Sequence, residues 1–67
     1  MKVSYKKLWK LLIDRDLKKK DLEEMASVSH YVINKLTHGE NVTTDVLGRI
    51  CKALDCSLDD IMEFIEE

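Results

Sequence analysis

The stretch KKKDLEEMASVSHYVINKLTHG, residues 18–39, decides how this chain reads. Its first half, KKDLEEMA, places Leu22, Met25 and Ala26 on one side at helical spacing. Ser27 and Val28 break that pattern. Ser29 suits the N-cap of a second helix, HYVINKLT, because its side-chain oxygen accepts from an unpaired N–H of the first turn. Gly39 can close that helix in the left-handed conformation, where a side chain is costly. Two short helices joined by a tight turn are expected here.

The second helix has two unlike faces. At about 100° per residue, His30, Asn34, His38, Tyr31 and Lys35 fall within about 140° of one another. Val32, Ile33 and Leu36 fall on the opposite side. Residues 25–39 hold no carboxylate, although the chain has 13 Asp and Glu in 67 residues. Such residues suit base edges. Lys donates to guanine O6 and N7, Asn pairs with adenine, and Tyr and His offer hydrogen bonds and ring contacts. A carboxylate there would meet phosphate repulsion. Lys18, Lys19 and Lys20 stand at the start of the preceding helix, where free N–H groups and the dipole favour an anion. The bland alternative is an ordinary solvated face. The pair of helices fits a helix-turn-helix whose second helix lies in a major groove.

The flanks add three helices. SYKKLWKLLIDRD carries apolar residues at 5, 8, 9, 12 and 13, an amphipathic stripe, and Leu17 follows as an apolar plug. Tyr5 and Trp9 are expected in the core. After the loop ENV, Thr43 is the N-cap of TDVLGRICKAL, with Leu47, Ile50, Cys51 and Leu54 inside. Ser57 and Asp60 resemble a capping box that opens a last helix, LDDIMEFIEE. With no Pro and only two Gly, the chain reads as all-α, five helices in a single domain over residues 1–67. A chain this short buries only about 60% of its unfolded surface, which leaves room for a partner subunit to add stability.

The net charge of −2 hides an asymmetry. Residues 1–38 carry nine Lys or Arg against five Asp or Glu, and residues 39–67 carry two against eight. The molecule is bipolar, with one end suited to an anion.

Other chemistry finds little support. No apolar run exceeds three residues and the N-terminus lacks a signal core, so a cytoplasmic protein with no membrane partner is expected. Cys51 and Cys56 are then thiols that pack. His30 and His38 lie about 12 Å apart along one helix and cannot share a zinc ion with ligands near about 2 Å. A chain of this size has little space for a catalytic pocket. No metal, cofactor or enzymatic activity is expected. Asp59 and Asp60 complement the dipole of the last helix. Ile61 and Ile65 share its inner face, while Met62 and Phe64 project elsewhere and are candidates for a dimer seam.

Residues 17–58 resemble the helix-turn-helix proteins related to phage Cro and repressor, the Xre family. The specific signs are Leu22, the turn Ala26-Ser27-Val28-Ser29, Ile33 and Leu36 with Gly39 after them, and the tail ICKALDCSLDDI. The resemblance implies a compact five-helix, lambda-repressor-like domain, a recognition helix near 29–37, and a dimer on a two-fold operator. By position, Ser29, His30, Tyr31 and Lys35 fall where such proteins touch bases, and Asn34 shares their face. Lys19 falls where a Gln often grips the backbone. Asn41 and Thr43 fall in the loop that usually meets phosphate, with Lys18 and His38 completing that set. There are three departures. Lys19 replaces Gln, Glu23 replaces a small Ala and is expected to reach solvent, and Ser27 replaces Gly. If position 27 needs φ > 0, Ser costs roughly 1 kcal/mol more than Gly.

The expectation is a sequence-specific regulator of transcription on double-stranded DNA, a homodimeric repressor. The alternative is a protein-interaction module such as an antitoxin or antirepressor. The Tyr31–Lys35 face serves the first and the Phe64 face the second.

Overall fold

Four α-helices account for most of the chain in a computed structural model that describes residues 2–66. They are α1 (Lys6–Asp14), α2 (Lys19–Ala26), α3 (His30–Thr37) and α4 (Thr44–Leu54). A 3-10 turn, Leu58–Asp60, follows α4. Two short strands, β1 (Lys2–Ser4) and β2 (Glu63–Ile65), pair antiparallel and bring the two ends of the chain together, with Val3 opposite Phe64.

The expected fifth helix over residues 58–67 is therefore corrected, and the fold is mostly helical rather than all-α. The capping interactions do form: the Ser57 N–H and hydroxyl donate to Asp60 Oδ2 at 3.0 and 3.1 Å. They start only one tight turn, with the Ile61 N–H bonded back to the Leu58 carbonyl. A helix continuing from there would carry Glu63 and Glu66 at its C-terminal end, against its dipole. Phe64 and Ile65 favour extended backbone, and β-branched Val3 lies ready to pair with it. Ile61 is fully buried as expected, but Ile65 is only half-buried.

The core draws on β1 and all four α-helices, with Ile61 added from beyond α4. Leu8, Leu22, Ile33, Leu36, Ile50, Leu54 and Ile61 are essentially without solvent contact. Each such side chain stabilises the fold by about 1.5–3 kcal/mol relative to exposure. Tyr5 is buried beside them, and burial raises its phenol pKa. Trp9, Cys51 and Cys56 pack against this core while half-buried. Two apolar residues expected inside are exposed: Ile13 at 75% and Met25 at 46%. On α1 the buried Tyr5, Leu8 and Leu12 centre the stripe, and Ile13 lies about 100° to one side of that centre. Met25 similarly sits at the rim of α2, over Arg49 and Lys52 of α4.

Each helix ends on a left-handed residue, and only one of these is glycine. Gly39 has φ 71°, and Asp16, Ser27 and Asp55 have φ 59°, 55° and 51°. After α3 the Glu40 N–H reaches the Lys35 carbonyl at 2.9 Å and the Gly39 N–H the Leu36 carbonyl at 3.1 Å. The same paired bonds close α1 at Leu17 and Asp16 and close α4 at Cys56 and Asp55. These are Schellman closures, which satisfy carbonyls left over at a helix end. Arg15 adds a guanidinium bond to the Leu54 carbonyl and so ties the end of α1 to the end of α4.

Candidate nucleic-acid interface

The turn between α2 and α3 sets the site. Ser27 is left-handed, with ψ 46°. Its carbonyl accepts from Arg49 Nη1 of α4 at 3.3 Å. Arg49 is itself held by Asp45 one helical turn back, at 3.1 Å. Val28 is buried in the turn and anchors it to the core. Ser29 caps α3 as expected, its hydroxyl accepting from the Val32 N–H at 3.2 Å.

The structure pairs Tyr31 with Lys35 and sets His30 beside Asn34 on α3, with Ser29 capping the start of that helix. Ser29, His30, Tyr31 and Asn34 are exposed and Lys35 is half-buried. Tyr31 projects at 69% exposure, with the Lys35 ammonium 5.5 Å from its ring centroid. That cation–π contact orients two long side chains before any ligand arrives. Ile33 and Leu36 face the core from the other side of the helix.

The expected phosphate-contacting residues differ in what they have free. Lys19 is pinned. Its ammonium lies 4.5 Å from the Trp9 ring centroid and donates to Thr37 Oγ1 at 3.0 Å. Thr37 passes that bond on to the Ile33 carbonyl at 2.9 Å. One cation thus joins α1, α2 and α3 while staying exposed. The Lys18 N–H donates to Asp21 Oδ2 at 2.8 Å and starts α2, and its side chain is exposed. Lysine has no acceptor, so only this half of a reciprocal capping box forms. Asn41 is exposed in the loop after Gly39. The Thr43 hydroxyl caps α4, accepting from the Val46 N–H at 3.3 Å.

His38 is more constrained. Its Nδ1 lies 2.7 Å from the Asn34 carbonyl and donates to it, since a carbonyl only accepts. The neutral ring then has only an acceptor at Nε2. Phosphate offers acceptors too, so His38 can bond it only as the imidazolium.

Glu23 departs from the expectation that it reaches solvent. It turns toward α3, its side chain only 25% exposed, and its carboxylate meets His30 Nδ1 at 3.1 Å. The surface of residues 25–39 lacks acids in sequence, yet one acid reaches it from the neighbouring helix. Sequence spacing held a signal for this contact, because Glu23 lies one helical turn before the 27–29 turn and His30 directly follows it. The angle between the helices was needed to read it. Lys19, Lys20, Glu23, His30, Asn34 and Thr37 surround one open hollow between α2 and α3.

Among the described residues no group of three or more metal-ligating side chains comes together. No helix among them is long and apolar enough to cross a membrane. Of the two candidate seam residues, Phe64 is 67% exposed and Met62 is half-buried against the core.

The comparisons with known proteins agree with this geometry. The sequence model of the Cro/C1-type HTH DNA-binding domain matches residues 7–67. A crystal structure of the transcriptional regulator VanUg is similar to this chain at 52% sequence identity. The match covers 98% of this chain and 88% of that one, with a TM-score of 0.94. No curated protein sequence matches.

Proposed function

The chain belongs to the family of Cro/C1-type HTH DNA-binding domains, and on that premise we propose that it is a sequence-specific transcriptional regulator acting as a homodimeric repressor. The similarity to a transcriptional regulator supports the regulatory role. The observation that carries the reading is the α3 surface, where Tyr31 and Lys35 stand pre-oriented beside His30 and Asn34. Ser29, His30, Tyr31, Asn34 and Lys35 read base edges in the major groove. Lys18 and the pinned Lys19 hold the backbone from α2, with Asn41, Thr43 and His38 at the other end of α3.

A single small domain makes few contacts, and a two-fold dimer doubles them, with recognition helices about one helical turn apart. The exposed Phe64, with Leu58 at 45% exposure nearby, is the apolar surface on which a second copy would sit. A protein-interaction role is the competing reading, and the same Phe64 end favours it. Acidic Asp59 and Glu63 flank that end.

Titration of 15N-labelled protein with a mixed-sequence duplex at about 50 mM salt separates the two, because non-specific phosphate contacts are strong there. Shifts concentrated in α3, the start of α2 and residues 39–43 are expected. Shifts absent from that surface would overturn the DNA reading.

A further inference from the structure

We propose that Glu23 is a positioning residue for base recognition: its carboxylate holds the His30 proton on Nδ1 and makes Nε2 an acceptor for the exocyclic amino group of cytosine or adenine. This rests on the DNA-reading function proposed above. His30 Nδ1 and Glu23 Oε2 are 3.1 Å apart. An ionised carboxylate has no proton to give, so Nδ1 must be the donor. A neutral imidazole carries one N–H, and the bond made by one nitrogen fixes the state of the other. In the neutral ring Nε2 therefore presents a lone pair.

The surroundings favour the arrangement. The Glu23 side chain is 25% exposed and its helix is packed on the core through Leu22 and Ala26, so the carboxylate is held in place. His30 is the first residue of α3 and its side chain is 76% exposed. The fixed end of the ring faces α2, and the free end is available to a ligand. Lys19 and Lys20 line the same hollow and offset the charge that Glu23 brings near a phosphate backbone.

The base chemistry follows. In the major groove cytosine N4 and adenine N6 are donors, whereas guanine N7 and O6 and thymine O4 are acceptors. An acceptor at Nε2 selects the first pair and is repelled by the second set. The opposite tautomer would reverse this choice. Glu23, which need touch no base, thus decides which bases His30 accepts.

Two measurements on the intact chain test this, using Glu23→Ala. The first is imidazole 15N NMR of the free protein at pH 8, where the ordinary imidazole is neutral. Wild type should show protonated Nδ1 and bare Nε2 at His30. Glu23→Ala should shift His30 toward the Nε2–H form. His38, bonded to its own helix, is the internal control and should keep Nδ1–H in every variant. The second is selection from random duplexes at the same pH. Wild type should prefer cytosine or adenine at one position, and Glu23→Ala and His30→Ala should both lose about tenfold of that preference there, with other positions unchanged. His30 carrying Nε2–H in wild type, or a base preference that Glu23→Ala leaves intact, would overturn the proposal while the DNA reading survives. The expected tautomers without any enriched sequence would overturn the DNA reading, and this proposal with it.

Discussion

Ser27→Gly should stabilise the protein, and its size follows from the backbone. Ser27 sits at φ 55°, ψ 46°, in the left-handed region. There Cβ crowds the following carbonyl, at a cost of roughly 1–2 kcal/mol for an L-residue. Asp at residues 16 and 55 tolerates this region better, because a short polar side chain can bond locally. No side-chain hydrogen bond of Ser27 offsets the strain among the described residues; the turn is held through its backbone carbonyl by Arg49. Glycine removes the crowding and keeps that carbonyl bond. It also loosens the unfolded chain, which takes back part of the gain. A net gain of about 0.5–1 kcal/mol is expected, or roughly 2–8 °C in Tm for a domain of this size. Thermal unfolding and urea titration of wild type, Ser27→Gly and Ser27→Ala provide the assay. Alanine keeps Cβ and should stay within about 0.5 kcal/mol of wild type. Gly no more stable than Ala would refute the argument, because the two then differ in Cβ without consequence. Duplex affinity should be unchanged, since the helix angle is preserved.

Four further outcomes are expected. Gly48 lies exposed inside α4 with nothing within 4 Å of a would-be Cβ, so Gly48→Ala should raise stability by about 0.5–1 kcal/mol in urea unfolding. Lys19→Ala should weaken all duplexes alike and reduce the salt slope by about 0.9, read from affinity across a salt series. Tyr31→Ala should cost about 1–3 kcal/mol on the preferred duplex and relax the sequence at one position; an unchanged preference would remove Tyr31 from the reading surface. The Asp60 carboxyl is held below its ordinary pKa by hydrogen bonds from the Ser57 backbone and then its hydroxyl. A depressed folded pKa gives stability that is present above the unfolded carboxylate value and fades as pH falls through the folded one. The stability gap between wild type and Asp60→Asn should therefore be larger at pH 7 than at pH 3 in urea unfolding.

The later helices, α3 and α4, are legible because their sequences state their own limits. Ser29 and Thr43 are N-caps whose hydroxyls do accept the expected N–H groups, and Gly39 does close α3 with φ 71°. Leu22, Ile33, Leu36, Ile50 and Leu54 kept helical spacing and are all buried. What escaped was non-local. A three-residue strand has no period to detect, and β2 exists because β1 lies across from it. LDDIMEFIEE looks helical by spacing, and its pairing partner lies at the other end of the sequence, as Val3 opposite Phe64 shows. The surface of α3 was likewise visible from residue types. The contacts that orient it, Lys19 on Trp9 and Glu23 on His30, depend on the angle at which three helices meet.

The most direct measurement is selection of bound sequences from a random duplex pool at about 150 mM salt, where non-specific phosphate binding is weak. Enrichment of a two-fold repeat with half-site centres about 10 base pairs apart is expected. A pool that emerges without an enriched sequence would contradict it and turn attention to a protein partner at the Phe64 end.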